Sequence, residues 1–586
     1  MLNSCSPYLR LLDRNGIEWH SSLTKELAER AVREDKLIFQ HIGYISNIKL
    51  REESQRLFSD NEVIKLLNEN FICIAEDKED RPESFLLALD LLFLNDDFSY
   101  GPMNLLIMPD RRPIICFSNS DPANFKEIIY SILKAKKEKK ELLSQMADEL
   151  SKRAVNTGVI TKKCNGSNIG QQELTNYMLH WYKGMFDKDF IFHLRPFTPN
   201  PSSLYTVVEY LKCYPDMEIS SSIESLLDHL QYSAIFDPVE GGFYRQCEDY
   251  TCKRALYEKT LEDNSQYIIL YSAAYQHFGK ESYRETALRT ISFIKDVLSN
   301  GRGGYYSSST LMTPESESDY YGYSIYELSL LFPQRYKEIA LFLDMDLNID
   351  RMKKQIPVRK GAQENVLTED DLQLLKNRRE EHRGHFIDKR EITSYNSQFV
   401  KAVTLAATQL GRPELIATAQ DTMEYLIINN SNDEGKLFRY VCCNRKRMLG
   451  YLSDYTNFMD AAMDLFKSTG DNMYMRIATR TLAVIMEHFY KQENGMFSKS
   501  EKSLQAETIP FKRESNIDII RPSANSVMAG NLITYFELTG DKYYLSVARQ
   551  QIDNIAPNLM ASGPMLSSWA HKILRFNCIN KVSETE

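Results

Sequence analysis

Residues 37–58 read LIFQHIGYISNIKLREESQRLF. Leu37 to Ile42 is an apolar run of strand length, closed by Gly43-Tyr44. The residues that follow, Ser46 to Phe58, are polar and helix-favouring, and Asn47 is a residue type that caps a helix N-terminus. A strand feeding straight into a helix is a setting in which redox folds carry a reactive thiol, because the helix N-terminus stabilises a thiolate. Here the turn holds Ser46, Asn47, Ile48, Lys49 and Leu50, with no cysteine. Its form and its chemistry point in different directions.

Working outward, the chain up to about Ala123 alternates helical patterns with short apolar runs. LTKELAERAVRED (Leu23 to Asp35) is amphipathic, FICIAED (Phe71 to Asp77) is a second strand, and RPESFLLALDLLFL is a helix with Pro82 in its first turn. MNLLIMP and RRPIICFS read as paired strands around Pro109, Asp110 and Arg111. One long helical stretch, FKEIIYSILKAKKEKKELLSQMADELSKRAV, closes this half; its alternating Lys and Glu suit a solvated linker helix. The expectation is an α/β domain over 1–140 and a helical linker over 141–169.

From 170 to 586 the pattern changes to helix after helix with internal repeats. A turn between helices recurs as FGKESYRETA (Phe278 to Ala287), LGRPELIATA (Leu410 to Ala419), TGDNMYMRIA (Thr469 to Ala478) and TGDKYYLSVA (Thr539 to Ala548). Its glycine suits a helix C-terminus, and the following Asp caps the next helix. A second signature, a glycine turn before an aromatic, recurs as VEGGFYR (Val239 to Arg245), GRGGYYS (Gly301 to Ser307), DEGKLFRY (Asp433 to Tyr440) and ENGMFSK (Glu493 to Lys499). Alternating these units makes helical hairpins, and five or six of them suggest a closed α/α barrel rather than an open solenoid. The double spacing between the first two turns reads as one diverged copy.

Length and composition bound the rest. A chain of 586 residues, 43% hydrophobic and 26% charged, has the composition of a soluble multidomain protein. A net charge of -9 gives no general reason to expect nucleic-acid binding. MLNSCSPYLRLLDRNG lacks an apolar leader core, and no apolar run reaches membrane-spanning length. The ten cysteines are scattered without a C-x-x-C, so a reducing, cytoplasmic setting without disulfide staples is expected. Cys73 and Cys116 lie on predicted buried strands, and HRGH (His382 to His385) lacks the accompanying ligands of a zinc site. No metal and no cofactor are expected.

Many ordered segments together resemble the spermatogenesis-associated protein 20 family. The first half does so through SPYLR, AVREDKLIFQHIGY, LFSDNEVIKLLNENFICIAEDKEDRPE and GPMNLLIMPD. In the second half the segments are FDPVEGGFYR, YEKTLEDNSQYIILYSAAYQ, ITSYNSQ, LGYLSDYTNFMDAAMDLFKSTGD and RPSANSVMAGNLITYFELTGD. The resemblance implies a multidomain α/β plus all-α protein: a thioredoxin-like fold followed by an (α/α)6 six-hairpin barrel. Relatives carry Cys-His-Trp-Cys-His after the Gly-Tyr that matches Gly43 and Tyr44, where this chain has Asn47 to Arg51. Asn47 and Leu50, beside Pro102, are therefore degenerate redox positions, and the domain is expected to be redox-inactive.

The resemblance also implies a barrel like those of glycosidases and sugar epimerases, whose chemistry uses carboxylates or histidines at the funnel mouth. The candidate pocket residues are Glu258, Asp263, Asn396, Asp454, Tyr455 and Asn525. Glu258 with Lys259 reads equally as a polar pair on a helix; Asp454 and Asn525 also suit capping positions. The family's histidines stand as Leu256 and Tyr244 here, and its acidic run as Ser308 to Met312. The reading is a ligand-binding or scaffold protein working through its barrel, with a carbohydrate or other small polar ligand, or a protein partner; nucleic acid and membrane are not expected. The alternative is a carbohydrate isomerase, epimerase or hydrolase using the funnel.

Overall fold

The computed structural model describes residues 4–94, 102–118, 120–156, 160, 163–164, 169–185, 196–313, 316–359, 361, 366–382, 384–501, 516–518 and 521–585. The chain forms two compact units. One comprises Met1–Thr161, Glu487–Lys491 and Met496–Ser515; the other comprises Lys162–Met486, Gln492–Gly495 and Asn516–Glu586.

The first unit is built on a five-stranded sheet in the order β1-β3-β2-β4-β5. Its strands are β1 (Trp19–His20), β2 (Leu37–Gly43), β3 (Phe71–Asp77), β4 (Met103–Ile107) and β5 (Pro113–Phe117). β2 and β3 run parallel, Leu37 opposite Phe71, because α3 (Ile48–Leu57) and α4 (Asn61–Asn70) supply the crossover between them. β4 returns antiparallel to β2, and β5 antiparallel to β4. β2 is buried at every position, as its central place in the sheet requires. The remaining helices are α1 (Pro7–Leu12), α2 (Lys25–Arg33), α5 (Pro82–Phe93), α6 (Pro122–Glu138) and α7 (Lys140–Asn156). This is a thioredoxin-like fold. The single closing helix expected from sequence is broken at Lys139, where φ -140 and ψ 51 leave the helical region. α7 then packs on β5 and α5, so the segment expected to begin a linker lies against the sheet domain.

The second unit alternates outer and inner helices along the chain. The outer helices are α8 (Gln171–Met185), α10 (Met217–Gln231), α12 (Glu281–Val297), α14 (Leu415–Asn429), α16 (Asn472–His488) and α18 (Lys542–Ile555). The inner ones are α9 (Pro201–Cys213), α11 (Leu261–Phe278), α13 (Thr393–Gln409), α15 (Leu452–Thr469), α17 (Ala524–Thr539) and α19 (Ser567–Thr585). Each inner helix packs on the next, α9 on α11 through α17 on α19, and α19 packs back on α9. The ring is closed, which distinguishes an (α/α)6 barrel from an open solenoid. The two classes differ in burial as their positions demand. α12 buries one stripe, Tyr283, Thr286, Ala287, Thr290, Ile291, Phe293 and Ile294, whereas the first five residues of α11 are all buried.

α11 packs directly on α13, so the double spacing between their turn signatures is an insertion and not a diverged ring copy. The inserted residues form short helices, including Ile325–Leu331, Tyr336–Phe342 and Glu369–Glu380, around a local apolar core. Short strands gather where inner helices begin. β6 (Gln246–Cys247) pairs with β7 (Ala255–Leu256), while β8 (Lys259–Thr260) pairs with β9 (Ser308–Leu311), and β9 with β10 (His385–Asp388). β11 (Glu391–Ile392), β12 (Phe438–Cys442) and β13 (Arg445–Leu449) form a third group. β8 runs straight into α11, and β11 into α13.

Two further expectations are corrected. Cys247 and Cys252 are joined as a disulfide, with their Cα atoms 5.2 Å apart, in a chain expected to carry none. Lys259 lies on β8 and not on a helix, and its partners are Asp237 and Glu240. No helix among the described residues is long and apolar enough to cross a membrane.

Candidate functional site

At the head of α3, the Asn47 side chain accepts the Leu50 N–H at 3.0 Å, spending the donor that would otherwise face a thiolate. Leu50 is buried against the domain. Pro102 is also buried, and it precedes Met103, the β4 residue opposite Ile42. The structure thus brings Asn47, Leu50 and Pro102 to the same end of the sheet, with a cap and an aliphatic group in place of sulfur. Cys73 is buried on β3, where loss of solvent pushes its thiol well above the ordinary range. Cys116 donates to the Ala88 carbonyl from inside β5.

Sequence reasoning missed a polar chain beneath this end. Tyr8 Oη lies 2.6 Å from His41 Nε2 and donates to Ser54 Oγ at 3.0 Å, while His41 Nδ1 lies 2.8 Å from Asn104 Oδ1. Burial lowers His41 to about 4, so the ring is neutral at ordinary pH. Gly43 leaves room for this chain: an added Cβ would overlap the Tyr8 ring and hydroxyl. Ser6 caps α1 and donates to Asp77 at 2.6 Å. Burial also raises Glu76 to about 7, against hydrogen bonds from Ser84 and Gln40. The signal was present in the SPYLR and QHIGY segments: a histidine amid an apolar strand, and a tyrosine just after a capping serine.

In the barrel, Asn396 is a fastener. Its Oδ1 accepts the Tyr305 N–H at 2.8 Å, and its amide donates to the Tyr305 and Ile392 carbonyls at 2.9 and 3.0 Å. Asn264 makes the same three bonds to Phe243 N–H, Phe243 carbonyl and Thr260 carbonyl, at 2.7, 3.0 and 2.9 Å. Phe243 and Tyr305 are the aromatics of the two Gly-Gly turns, so the second repeat signature exists to be held by the inner helix that follows it. At the corresponding position of α15, the Tyr455 hydroxyl accepts the Leu437 N–H at 3.0 Å. Asn525 lies inside α17, which is capped by Ser523, and accepts from Gln551 of α18 at 3.1 Å. The cap expected at Asn525 is therefore two residues earlier.

The carboxylates sit one residue or more before these fasteners and take arginines. Arg245 donates to Glu258 and to Asp263, both at 2.7 Å, and Thr260 donates to Asp263 at 2.6 Å. Burial alone would raise the Asp263 carboxyl, but Arg245 and Arg521 hold it below its ordinary value. Asp454 repeats the theme: its Oδ1 accepts from Arg439 at 2.9 Å and from the Ser394 N–H at 3.0 Å, and its Oδ2 from the Tyr451 N–H at 2.9 Å. Arg245 and Arg439 each stand two residues beyond the fastened turn residue, a spacing visible as Gly-Phe-Tyr-Arg and Lys-Leu-Phe-Arg.

The two networks meet at Tyr395. Arg439 and Arg521 each place a guanidinium 5.7 Å from its ring centre, and Arg521 pairs with Glu262. Gln398 donates to Glu262 at 3.4 Å and accepts from Gln266 at 3.2 Å. Glu258, Asp263 and Asp454 thus gather at the end where the inner helices begin, linked through Glu262, Arg521 and Tyr395. Asn396, Tyr455 and Asn525 instead hold backbone or a neighbouring helix. Arg521 is more open than the carboxylates around it, with its side chain 33% exposed, against 3% for Glu262 and 0% for Asp454.

A thioredoxin-like domain with no cysteine at the head of α3, joined in one chain to an (α/α)6 barrel, is the class that fold and site define. Residues 1–154 match the family model Thioredox_DsbH, described as a protein of unknown function, DUF255. Over 93% of its length the chain is 21% identical to mouse spermatogenesis-associated protein 20, covering 76% of that protein, and it is 22% identical to the human protein, covering 77%. Among solved structures it is similar to cellobiose 2-epimerase from Bacillus thermoamylovorans B4167, at 9% identity and a TM-score of 0.46, over 69% of this chain and 98% of that one. It is also similar to the GH76 alpha-mannanase BT2949 of Bacteroides thetaiotaomicron, at 11% identity and a TM-score of 0.43, over 71% and 98%.

Proposed function

We propose that the protein is a redox-silent binding protein whose barrel takes a carbohydrate or another small polar ligand. The observation that carries the redox part is the Asn47 side chain on the Leu50 N–H, at the position where disulfide exchange needs a sulfur. The barrel part rests on the engagement of its carboxylates. A general acid or base needs a proton site free to exchange, and Glu258, Asp263 and Asp454 are held by arginines or backbone amides. Arg521, Glu262, Gln266 and Gln398 offer hydrogen-bonding groups for a hydroxylated ligand.

The test has two arms. Insulin reduction by the full chain is expected to stay at the uncatalysed rate, while Asn47→Cys/Leu50→Cys, which returns two thiols to the helix head, is expected to gain a reducible disulfide. Turnover by the unaltered chain refutes the redox part. Calorimetry against a panel of mono- and disaccharides is expected to give saturable binding weakened by Arg521→Ala, with no conversion of the sugar. Conversion abolished by Glu262→Gln would favour the second reading, a carbohydrate isomerase or hydrolase.

A further inference from the structure

Deeper within the inner ring, one to three turns beyond the helix starts, lies a second polar cluster that the site above does not use. α13 contributes Lys401, α15 contributes Asp460 and Asp464, α9 contributes Tyr205, and α19 contributes His571, Lys572 and Arg575. Most of its charges are paired. Lys401 donates to Asp460 at 2.6 Å and lies 3.9 Å from Asp464. Asp464 also accepts from Lys467 at 2.9 Å, and Arg575 donates to Glu537 at 2.8 Å and Thr534 at 3.1 Å.

Lys572 is the exception. Among the described residues no carboxylate lies within ion-pair distance of it, and its polar neighbour is His571 Nδ1, 3.3 Å away. The Tyr205 ring stands edge-on to His571, 5.3 Å between centres. The lysine stem crosses Gly530 of α17, where an added Cβ would stand 2.9 Å from Cε, so α17 is bare of side chain at the point of crossing. Lys572 is not sealed off: it is partly accessible, as are Lys401 at 27% and Asp460 at 17% of their side chains. A partly accessible lysine inside a ring, with no carboxylate at ion-pair distance among the described residues, is poorly explained as a structural ion.

Its neighbours act on the amine from every side. Loss of solvent disfavours the ammonium, and Lys401 and Arg575 oppose it; Asp460 and Asp518 act the other way but do not compensate. The balance lowers Lys572 to about 7, which leaves much of it as free amine at neutral pH. His571 is pushed well below its ordinary value by burial and the nearby cations, so it adds no charge. A lysine desolvated beside other cations is the arrangement that makes an amine nucleophilic.

We propose that Lys572 is a nucleophilic amine that captures the carbonyl carbon of a small hydroxylated aldehyde or ketone, such as an open-chain sugar, as a Schiff base within the ring. The amine lone pair forms the C–N bond as the carbonyl π pair moves to oxygen. Both amine protons leave with that oxygen as water, and the nitrogen keeps a C=N bond. No oxidant or reductant enters. The inference deepens the proposed function, resting on its premise that the barrel admits a polar ligand, and it names the covalent contact that ligand would make.

The full chain is incubated with glycolaldehyde at pH 7.4, sodium cyanoborohydride traps the imine as a secondary amine, and peptide mass spectrometry locates the hydroxyethyl group. At that pH an ordinary lysine holds roughly a thousandth of its amine unprotonated, against more than half for one near 7. Lys572 is therefore expected to label at least about tenfold faster than Lys25, whose side chain is 84% exposed. Its labelling rate is expected to rise with a midpoint near neutrality, and Lys572→Arg is expected to remove the fast site with its melting temperature retained. Labelling of Lys572 no faster than Lys25, or with a midpoint close to that of an ordinary lysine, overturns the proposal whatever the variant does. Saccharide binding without fast labelling sinks this inference alone; fast labelling without saccharide binding sinks the carbohydrate reading alone.

Discussion

Replacing Asp454 with asparagine separates a fastening role from a catalytic one. In the folded chain, Oδ1 accepts from Arg439 at 2.9 Å and from the Ser394 N–H at 3.0 Å, while Oδ2 accepts from the Tyr451 N–H at 2.9 Å. Asp454→Asn keeps the shape but turns one acceptor into a donor. The new NH2 must face either the Tyr451 amide or the Arg439 guanidinium, donor against donor. Arg439 loses the Asp454 carboxylate, and its side chain is only 3% exposed. Removing one partner of a buried pair costs about 3–5 kcal/mol. Arg439 retains Ser394 Oγ at 2.9 Å and the Tyr395 ring, so the lower end, about 3 kcal/mol, is expected. Urea unfolding followed by Trp181 and Trp569, both in the barrel unit, reads this as an earlier midpoint. Adding Arg439→Met should recover part of the loss, because the charge that faced Asp454 is then gone. A stability within about 0.5 kcal/mol of the parent, together with lost sugar conversion, would refute the fastening argument and make Asp454 a catalytic residue.

Other perturbations test the remaining contacts. Glu76 sits near 7 folded against about 4.5 unfolded, so the folded state holds its proton more tightly. The stability of the β2–β3 core should be greatest below about 4.5, fall by about 3 kcal/mol as pH rises to 7, and be flat above; Glu76→Gln should abolish this slope. Hydrogen exchange of β2 and β3 amides, corrected for intrinsic rates, reads it, and an unchanged slope in the variant sinks the assignment. Gly43→Ala should cost about 2–4 kcal/mol by driving Tyr8 off His41, seen as a lower melting temperature; an unaltered melt would mean Tyr8 moves aside freely. Asn264→Ala and Asn396→Ala each lose three hydrogen bonds to buried backbone and should each cost about 2–3 kcal/mol in urea unfolding, nearly additively. Losses under about 0.5 kcal/mol would show that the turns hold themselves.

Much of this architecture was legible from short-range pattern. The strand–helix start at Leu37–Phe58, the positive-φ glycines after inner helices such as Gly470 at 71°, and the Gly-Gly turns all follow from residues within a few positions of one another. The reading went astray where spacing stood in for space. The gap between Phe278 and Leu410 was counted as a ring copy, yet α11 and α13 touch directly. The charged run around Lys139 suited a linker, yet α7 lies on β5. Cys247 and Cys252, five apart and outside any C-x-x-C, are bonded in a chain whose scattered cysteines predict no disulfide.

The candidate site divides along the same line. That Asn47 and Leu50 cannot exchange disulfides is a property of their own atoms, and the sequence alone determined it. Whether Asp454 is a proton carrier or a fastener depends on Ser394 and Arg439, 60 and 15 residues away, and no local pattern names such partners. The same holds for Lys572: the absence of a carboxylate at ion-pair distance, among the described residues, is a matter of how the inner helices close into a ring. Backbone form and side-chain chemistry are written along the chain. Protonation, pairing and access are set by what the fold brings within a few ångströms, because charge interactions and desolvation act through space.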